Sequence, residues 1–116
     1  MNELLEPLSK RGNAIQAYKL RANEEGAAAW AEVPCADSIT MHIPKFDVEA
    51  VGSKEIDTKV FGLLADAGIS QSLVGIQEFG NYVTCFLRVS DGTSEWESVE
   101  VFLFNEHNKV AEIWAL

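Results

Sequence analysis

The stretch SQSLVGIQEFGNYVTCFLRVS at residues 70–90 decides the fold class. Its two halves are rich in β-branched and aromatic residues, and Gly80 with Asn81 between them favours a two-residue hairpin turn that pairs Phe79 with Tyr82. The segments DGTS and NEHN mark two further turns before the last two strands. The second half of the chain is therefore predicted to form four consecutive antiparallel strands joined by short turns.

The first half of the chain reads as helical, with one clear strand. Residues spaced three and four apart on one face predict a first helix that ends near Asn23, and that face comprises Leu4, Leu8, Arg11, Ile15, Tyr18 and Ala22. The segment AAAW before Pro34 predicts a short second helix, and ADSITMHIP alternates as a strand does up to Pro44. A third helix is predicted from Ser53, as its N-cap, to Gly68 just beyond its end. Helices followed by consecutive strands indicate an α+β fold.

The length and net charge of the chain limit its number of domains and the kinds of partner it can bind. A chain of 116 residues fits one domain, residues 1–116. Nine basic against 18 acidic residues give a net charge of −9, which argues against nucleic acid and against membrane surfaces as partners. No apolar run reaches the roughly 20 residues of a membrane span, and the N-terminus does not have the pattern of a secretory signal. We therefore expect a cytoplasmic protein.

Cysteine and histidine spacing argues against two further kinds of site. Cys35 and Cys85 are too few for a disulfide framework, and in a reducing compartment each is typical of buried packing. His42 and His107 lie far apart in sequence and form no cluster with metal-ligand spacing. No glycine-rich phosphate-binding motif occurs. We therefore expect neither a metal site nor a nucleotide cofactor.

The last two predicted strands are apolar on both faces. A sheet covered by helices on one side normally carries polar residues on the other, and the first half of the chain has too few helices to cover both faces. We therefore expect the outer face to bind a second copy of the chain. The residues of this predicted homodimer face are Val99, Val101, Leu103 and Trp114.

The order of elements resembles the nuclear transport factor 2-like superfamily, above all its SnoaL-like and ketosteroid isomerase branches. The segments that carry the resemblance are ADSITMHIP, VGSKEI and VFLFNEHNKVAEIWAL, and it spans nearly the whole chain. It implies a single SnoaL-like domain with a cone-shaped, curved antiparallel sheet wrapped around three helices of the N-terminal half, a cystatin-like α+β barrel. It also implies an apolar pocket inside the cone and an outer sheet face that is often a dimer interface.

The isomerase branch uses three polar pocket residues, and the resemblance assigns two of them in this chain. Tyr18 on the first helix falls at the position of a tyrosine that donates a hydrogen bond to the substrate oxygen. Glu100 falls at the position of an acid that apolar surroundings keep protonated. The proton-moving aspartate falls on Ile43, which cannot accept a proton. His42 and Asp47 are the remaining candidates for a base.

Glu100 is the most informative of these candidates. Its strand alternates, so its side chain shares the inner face with Phe102 and Phe104. Burial disfavours the carboxylate and no cation lies on the same strand, so we expect a neutral carboxyl. The alternative is a purely structural hydrogen bond between Glu100 and Tyr18. His42 alternates with inward-facing neighbours and reaches the pocket only if its strand slips by one residue.

The predicted pocket determines the functional hypotheses. Its wall consists of apolar residues on the inner faces of the strands and the third helix: Ile39, Met41, Ile43, Val60, Leu64, Ile76, Val83, Cys85, Leu87, Phe102, Phe104 and Ile113. The leading hypothesis is a small-molecule enzyme of isomerase, dehydratase or cyclase type that acts on an apolar substrate by acid–base chemistry, without a cofactor. The first alternative is a non-catalytic protein that binds a small apolar ligand. The second is a dimeric protein-interaction module that uses the outer sheet face.

Overall fold

The computed structural model describes residues 8–116 and has the predicted α+β order. Its helices are α1 (Lys10–Glu25), α2 (Ala27–Trp30), and a third helical segment made of α3 (Ser53–Glu55), a π-helical stretch (Ile56–Phe61) and α4 (Gly62–Asp66). Its strands are β1 (Cys35–Ile43), β2 (Val48–Val51), β3 (Ser70–Phe79), β4 (Tyr82–Ser90), β5 (Glu95–Phe104) and β6 (Val110–Ala115). No helix among the described residues is long and apolar enough to cross a bilayer.

The six strands form one curved, unclosed sheet in the order β2-β1-β6-β5-β4-β3. Strands β3 to β6 form the predicted antiparallel meander, and the hairpin register that pairs Phe79 with Tyr82 is confirmed. The pairing of β1 with β6 is parallel, so the sheet is mixed rather than wholly antiparallel. The alternation of side chains in a strand reports its buried face but not the direction of its neighbour, which is why the sequence did not predict this pairing.

Helix α1 differs from the prediction at both ends. The predicted face residue Leu4 lies outside the described residues, and Leu8 precedes the first turn of the helix. At its other end α1 continues past Asn23 to Glu25 and stops at Gly26. This extension keeps Asn23 in the helix, where its side chain reaches the edge strand β3.

Two polar contacts hold α1 against the inner face of the sheet. At its start, Arg11 Nε and Nη1 donate to Asn108 Oδ1 and Asn81 Oδ1, at 2.7 and 2.8 Å, in the turns that end β5 and β3. Near its end, the Asn23 side chain exchanges two hydrogen bonds of 2.6 and 2.9 Å with the backbone of Gln71 on β3. The middle of α1 therefore lies on the sheet, and this position brings its buried side chains to β5.

The third helical segment confirms one predicted end and corrects the other. Gly52 occupies the N-cap position, so the predicted cap Ser53 is already the first helical residue and makes no side-chain cap hydrogen bond. At the far end Gly68 has a φ of 65°, which glycine adopts without steric cost. The N–H groups of Gly68 and Ile69 donate to carbonyls of the last turn at 3.2 and 2.9 Å, as the predicted Schellman motif requires.

Candidate functional site

A pocket opens at one end of the inner sheet face, beyond the part that α1 covers. The ends of β1, β4 and β6 and the starts of β3 and β5 form its wall, and the third helical segment closes one side. The pocket has a volume of about 60 Å³, and its mouth is open to solvent. The lining residues are Tyr18, Lys19, Met41, Ile43, Lys45, Phe46, Val60, Leu64, Ile69, Gln71, Leu87, Val89, Trp96, Ser98, Glu100, Ala115 and Leu116.

The buried charges of this lining form an ion pair between Lys19 on α1 and Glu100 on β5. Lys19 Nζ lies 2.5 Å from Glu100 Oε1 and 2.6 Å from Gln71 Oε1. Lys19 is 4% exposed and Glu100 6% exposed. Burial lowers the pKa of Lys19, but the neighbouring Glu100 and Tyr18 together outweigh burial, so the pKa lies above its ordinary value of 10.5. Lys19 is therefore a buried ammonium that requires an anion beside it, and Glu100 supplies that anion.

This ion pair overturns the premise behind the expected neutral Glu100 carboxyl, which is the lack of a nearby cation. That premise considered only cations on the strands, whereas the cation comes from the helix packed across them. The sequence held a signal for the pair, because Lys19 directly follows Tyr18 at the border of the apolar helix face. An acidic side chain on an apolar inner face needs a partner, and the inner helix is the nearest element that can provide one.

Two polar atoms beside the ion pair border the pocket without a hydrogen-bond partner among residues 8–116: the Tyr18 hydroxyl and Glu100 Oε2. Within that range, every side-chain nitrogen or oxygen that is fully enclosed has a hydrogen-bond partner. These two atoms therefore remain accessible to water from the pocket. The Tyr18 ring packs on Trp30 with centroids 5.2 Å apart. Burial raises the pKa of Tyr18 to about 12, so the hydroxyl keeps its proton. The pocket therefore holds a donor at Tyr18 and an acceptor at Glu100.

The structure divides the twelve predicted wall residues between the pocket and the core. Those that line the pocket are Met41, Ile43, Val60, Leu64 and Leu87. Those that lie instead in the closed core are Ile39, Val83, Cys85, Phe102, Phe104 and Ile113. Ile76 on β3 is partly exposed and packs against that core. Alternation identifies the inner face of a strand, but the length of strand that α1 covers depends on the tertiary packing.

His42 and Asp47, the candidates for a base, both lie outside the pocket. His42 stands on the outer sheet face, where Nε2 lies 2.7 Å from Glu112 Oε2 and Nδ1 lies 3.3 Å from Glu49 Oε2. Strand β1 keeps its alternation as far as Ile43, so the slip that would turn His42 inward does not occur. Asp47 follows a 3₁₀ turn after β1 and is exposed to solvent. Neither residue can exchange a proton with a molecule in the pocket.

The remaining candidate groups for other chemistry are two thiols. Burial raises the pKa of both the Cys35 and the Cys85 thiol to about 12, so both carry their protons at neutral pH. Among residues 8–116, no group of three or more His, Cys, Asp or Glu side chains is arranged to hold a metal ion. The chemically versatile groups that border the pocket are therefore the carboxylate, the ammonium and the phenol described above.

Comparison with known proteins defines the class of fold. No family model and no curated protein matches the sequence. An NTF2-like protein of unknown function from Burkholderia pseudomallei has a similar structure, with a TM-score of 0.78, 10% identity, and coverage of 94% of this chain and 91% of that one. TerC, co-crystallised with polyporic acid, has a TM-score of 0.76, 13% identity, and coverage of 93% and 91%. A protein from Agrobacterium tumefaciens provisionally named an isomerase of the SnoaL-like family has a TM-score of 0.71, 16% identity, and coverage of 92% and 97%.

These similarities confirm the resemblance at the level of the fold. The chain has the NTF2-like fold, and the similarity covers nearly its full length. Proteins with this one architecture carry different functions, because function depends on the site and not on the fold. At these sequence identities the function has to be argued from the pocket itself.

Proposed function

We propose that this chain is a small-molecule enzyme of the isomerase, dehydratase or cyclase type, which acts by acid–base chemistry on an apolar substrate in the pocket. One observation supports it above all: a buried carboxylate at Glu100 and a buried phenol at Tyr18 border the same apolar space. Paired titratable groups in such a cleft are typical of functional sites. The similarity to a protein provisionally named a SnoaL-like isomerase agrees with this class.

The two groups suit a reaction that moves a proton next to an oxygen atom. Tyr18 donates a hydrogen bond to the substrate oxygen and stabilises the negative charge that develops there. Glu100 exchanges a proton with a neighbouring atom of the substrate. The side chains of Met41, Leu87 and Trp96 line the same space and limit water access, which strengthens both interactions.

The volume of the pocket limits the size of the substrate. An apolar cavity of about 150 Å³ holds one benzene molecule, whereas the enclosed space here is about 60 Å³. The polar end of a substrate fits this enclosed part, and its body lies in the mouth beside Lys45, Phe46 and Trp96. Lys45 Nζ stands 4.6 Å from the centre of the Trp96 ring. We therefore expect a substrate of one or two rings rather than a large polycyclic one.

Deuterium exchange into a small cyclic ketone tests the proposal. Cyclohexanone is incubated with the protein in D₂O, and the loss of its α-proton signals is followed by NMR. We expect exchange faster than in buffer, lowered by about 10²–10⁴-fold in Glu100→Gln because a positioned base is lost. Tyr18→Phe removes a donor to the developing oxyanion and should cost about 10²–10³-fold.

The matched control for this assay is Glu97→Gln. Glu97 is an exposed glutamate on the same strand, three residues before Glu100 and on the outer face, so its replacement should leave the exchange rate unchanged. Exchange no faster than in buffer for cyclohexanone and its ring homologues would contradict the enzyme proposal. Exchange that survives in Glu100→Gln would contradict the role given to that residue.

A non-catalytic binding protein is the second candidate, and the residue at position 43 favours it. Ile43 lines the pocket at the place where the resemblance implies a proton-moving aspartate. A binding protein of this kind would show shifts in the amide resonances of pocket residues when cyclohexanone is added. The α-protons of the ketone would then exchange only at the buffer rate.

We also propose that the outer sheet face binds a second copy of the chain, as the interaction-module alternative requires. The predicted face residues Val99, Val101, Leu103 and Trp114 are half-buried and lie beside the exposed Tyr82 and Phe86. Arg88 and Glu97, which are paired across β4 and β5, add opposite charges to this face. Two copies related by a two-fold axis can therefore place unlike charges opposite each other around an apolar centre.

A further inference from the structure

We propose that Lys19 is a positioning residue that holds Glu100 as an ionised proton acceptor, so that the pocket takes a substrate with an acidic C–H bond next to a carbonyl group. The inference rests on the proposed function and fixes the direction of its proton transfer. It reverses the role that the resemblance implies, in which the acid at this position stays protonated and donates.

The contacts of Lys19 show that it acts through Glu100. Its ammonium lies 2.5 Å from Glu100 Oε1 and donates to Gln71 Oε1 at 2.6 Å. The Lys19 side chain is 1% exposed and that of Glu100 is 8% exposed. The part of the pair that a bound molecule can reach is therefore the carboxylate, and the atom of it that Lys19 does not contact is Oε2.

Electrostatics decides which form of Glu100 exists beside this lysine. A protonated buried lysine with a neutral partner would leave one uncompensated charge in the protein interior, which is strongly unfavourable. The ionised pair has no net charge, and the attraction across 2.5 Å is weakly screened because water is excluded. Lys19 therefore favours the carboxylate of Glu100 over its protonated form.

The proposed proton transfer requires only Glu100, Tyr18 and the substrate. Glu100 Oε2 takes the proton from the carbon next to the carbonyl group, the C–H electron pair moves into the enolate, and the Tyr18 hydroxyl donates to the enolate oxygen. Return of the proton to a different carbon completes an isomerisation.

While Glu100 is neutral, Lys19 keeps its contact with Gln71 and lies 5.0 and 5.9 Å from the ring centres of Tyr18 and Phe102. These rings face the cation and stabilise it during the step.

The direct test uses the carbon-13 resonance of the Glu100 carboxyl and needs no substrate. The signal is assigned by its loss in Glu100→Gln and recorded at pH 6. We expect the chemical shift of a carboxylate in the unmodified protein and that of a protonated carboxyl in Lys19→Met. Lys45→Met is the matched control, since Lys45 lines the same pocket but is exposed, and it should leave the signal unchanged.

Two outcomes would overturn the inference: a protonated carboxyl in the unmodified protein at pH 6, or a carboxylate in the folded Lys19→Met protein. Should Lys19→Met fail to fold, Lys19→Gln removes the charge but keeps a donor for Glu100, and the same protonated shift is expected. Because this measurement involves no ligand, it decides the role of Lys19 even where ketone exchange shows no catalysis.

The pH dependence of ketone exchange gives a second readout that a purely structural lysine would not change. The exchange rate is recorded against pH for the unmodified protein. Loss of the nearby cation disfavours the carboxylate, so the profile should move to higher pH in Lys19→Gln, and Lys19→Arg should return it toward its original position. An equal fall in both variants, or no displacement in either, would contradict the inference.

Discussion

Lys19 and Glu100 join the first helix to the fifth strand through an ion pair of 2.5 Å that is buried at both ends. A buried ion pair is weak evidence for stability, because removing two charges from water offsets most of their attraction. The pair also lies at the boundary between the closed core and the pocket, and both of its side chains line the pocket. This location is better explained by the chemistry of the pocket than by the stability of the core.

Stability measurements can separate the pair from its two charges. Lys19→Met alone leaves the buried Glu100 carboxyl without its partner, so the carboxyl must take up a proton on folding, and the free energy of unfolding should fall by about 3–5 kcal/mol. The double variant Lys19→Met/Glu100→Leu removes both charges and should recover most of that loss. Urea denaturation followed by circular dichroism measures both. Arg21→Met, which breaks an exposed pair with Glu25 on the same helix, should leave the unfolding free energy nearly unchanged.

Alkaline pH should destabilise the fold through Tyr18 and Lys19. The pKa of Tyr18 is raised from 10.0 to about 12 by burial, and that of Lys19 lies above 10.5 in the folded state. Unfolded chains therefore release these protons at lower pH than the folded protein does, so stability is fully present below about pH 10 and is lost as the pH rises toward 12. Tyr18 accounts for roughly 2–3 kcal/mol of this loss at most. Urea titrations at pH 8, 10 and 11 measure it, and Tyr18→Phe should show a smaller decline. An unfolding free energy that is constant over this range would contradict the burial of both groups.

Replacement by alanine should affect stability differently at two glycines in helical segments. A Cβ at Gly12 would overlap the carboxylate of Glu78, which accepts hydrogen bonds of 2.5 Å from the Ser9 backbone and hydroxyl. A Cβ at Gly62 meets nothing within 4 Å. Gly62→Ala should therefore raise the thermal midpoint, in line with a helix gain of about 0.5–1 kcal/mol. Gly12→Ala should bring no gain, because it displaces Glu78 from the start of α1. Equal stabilisation by the two substitutions would show that the Glu78 contact has no energetic weight.

The outer face should make the protein a dimer in solution. We expect a mass of twice 12.8 kDa in analytical ultracentrifugation at micromolar concentration, because the face is apolar at its centre; a stable dimer buries at least about 1,200 Å². Val101→Glu places a charge at the centre of the face and should yield a folded monomer. Leu20→Glu changes an apolar residue that is 69% exposed on α1 and should leave the dimer intact. A monomer in the unmodified protein would rule out the dimer.

The sequence alone predicts most of the local structure correctly. The Gly80 and Asn81 turn defines the β3–β4 register residue by residue, and the glycine after the third helical segment ends it as expected. These features succeed because they depend on backbone preferences and side-chain alternation over a few residues. The same local rules place Glu100 on the inner face of its strand and His42 on the outer face of β1.

Only the tertiary structure decides what surrounds those side chains. The parallel pairing of β1 with β6 and the extent of the inner face that α1 covers both arise from contacts between distant segments. These contacts place Phe102 in the core but Glu100 at the pocket, two residues apart on one strand. They also bring Lys19 to Glu100 across 81 positions of sequence. The charge state of a side chain depends on the groups within a few ångströms of it. Which groups those are is known only from the tertiary structure.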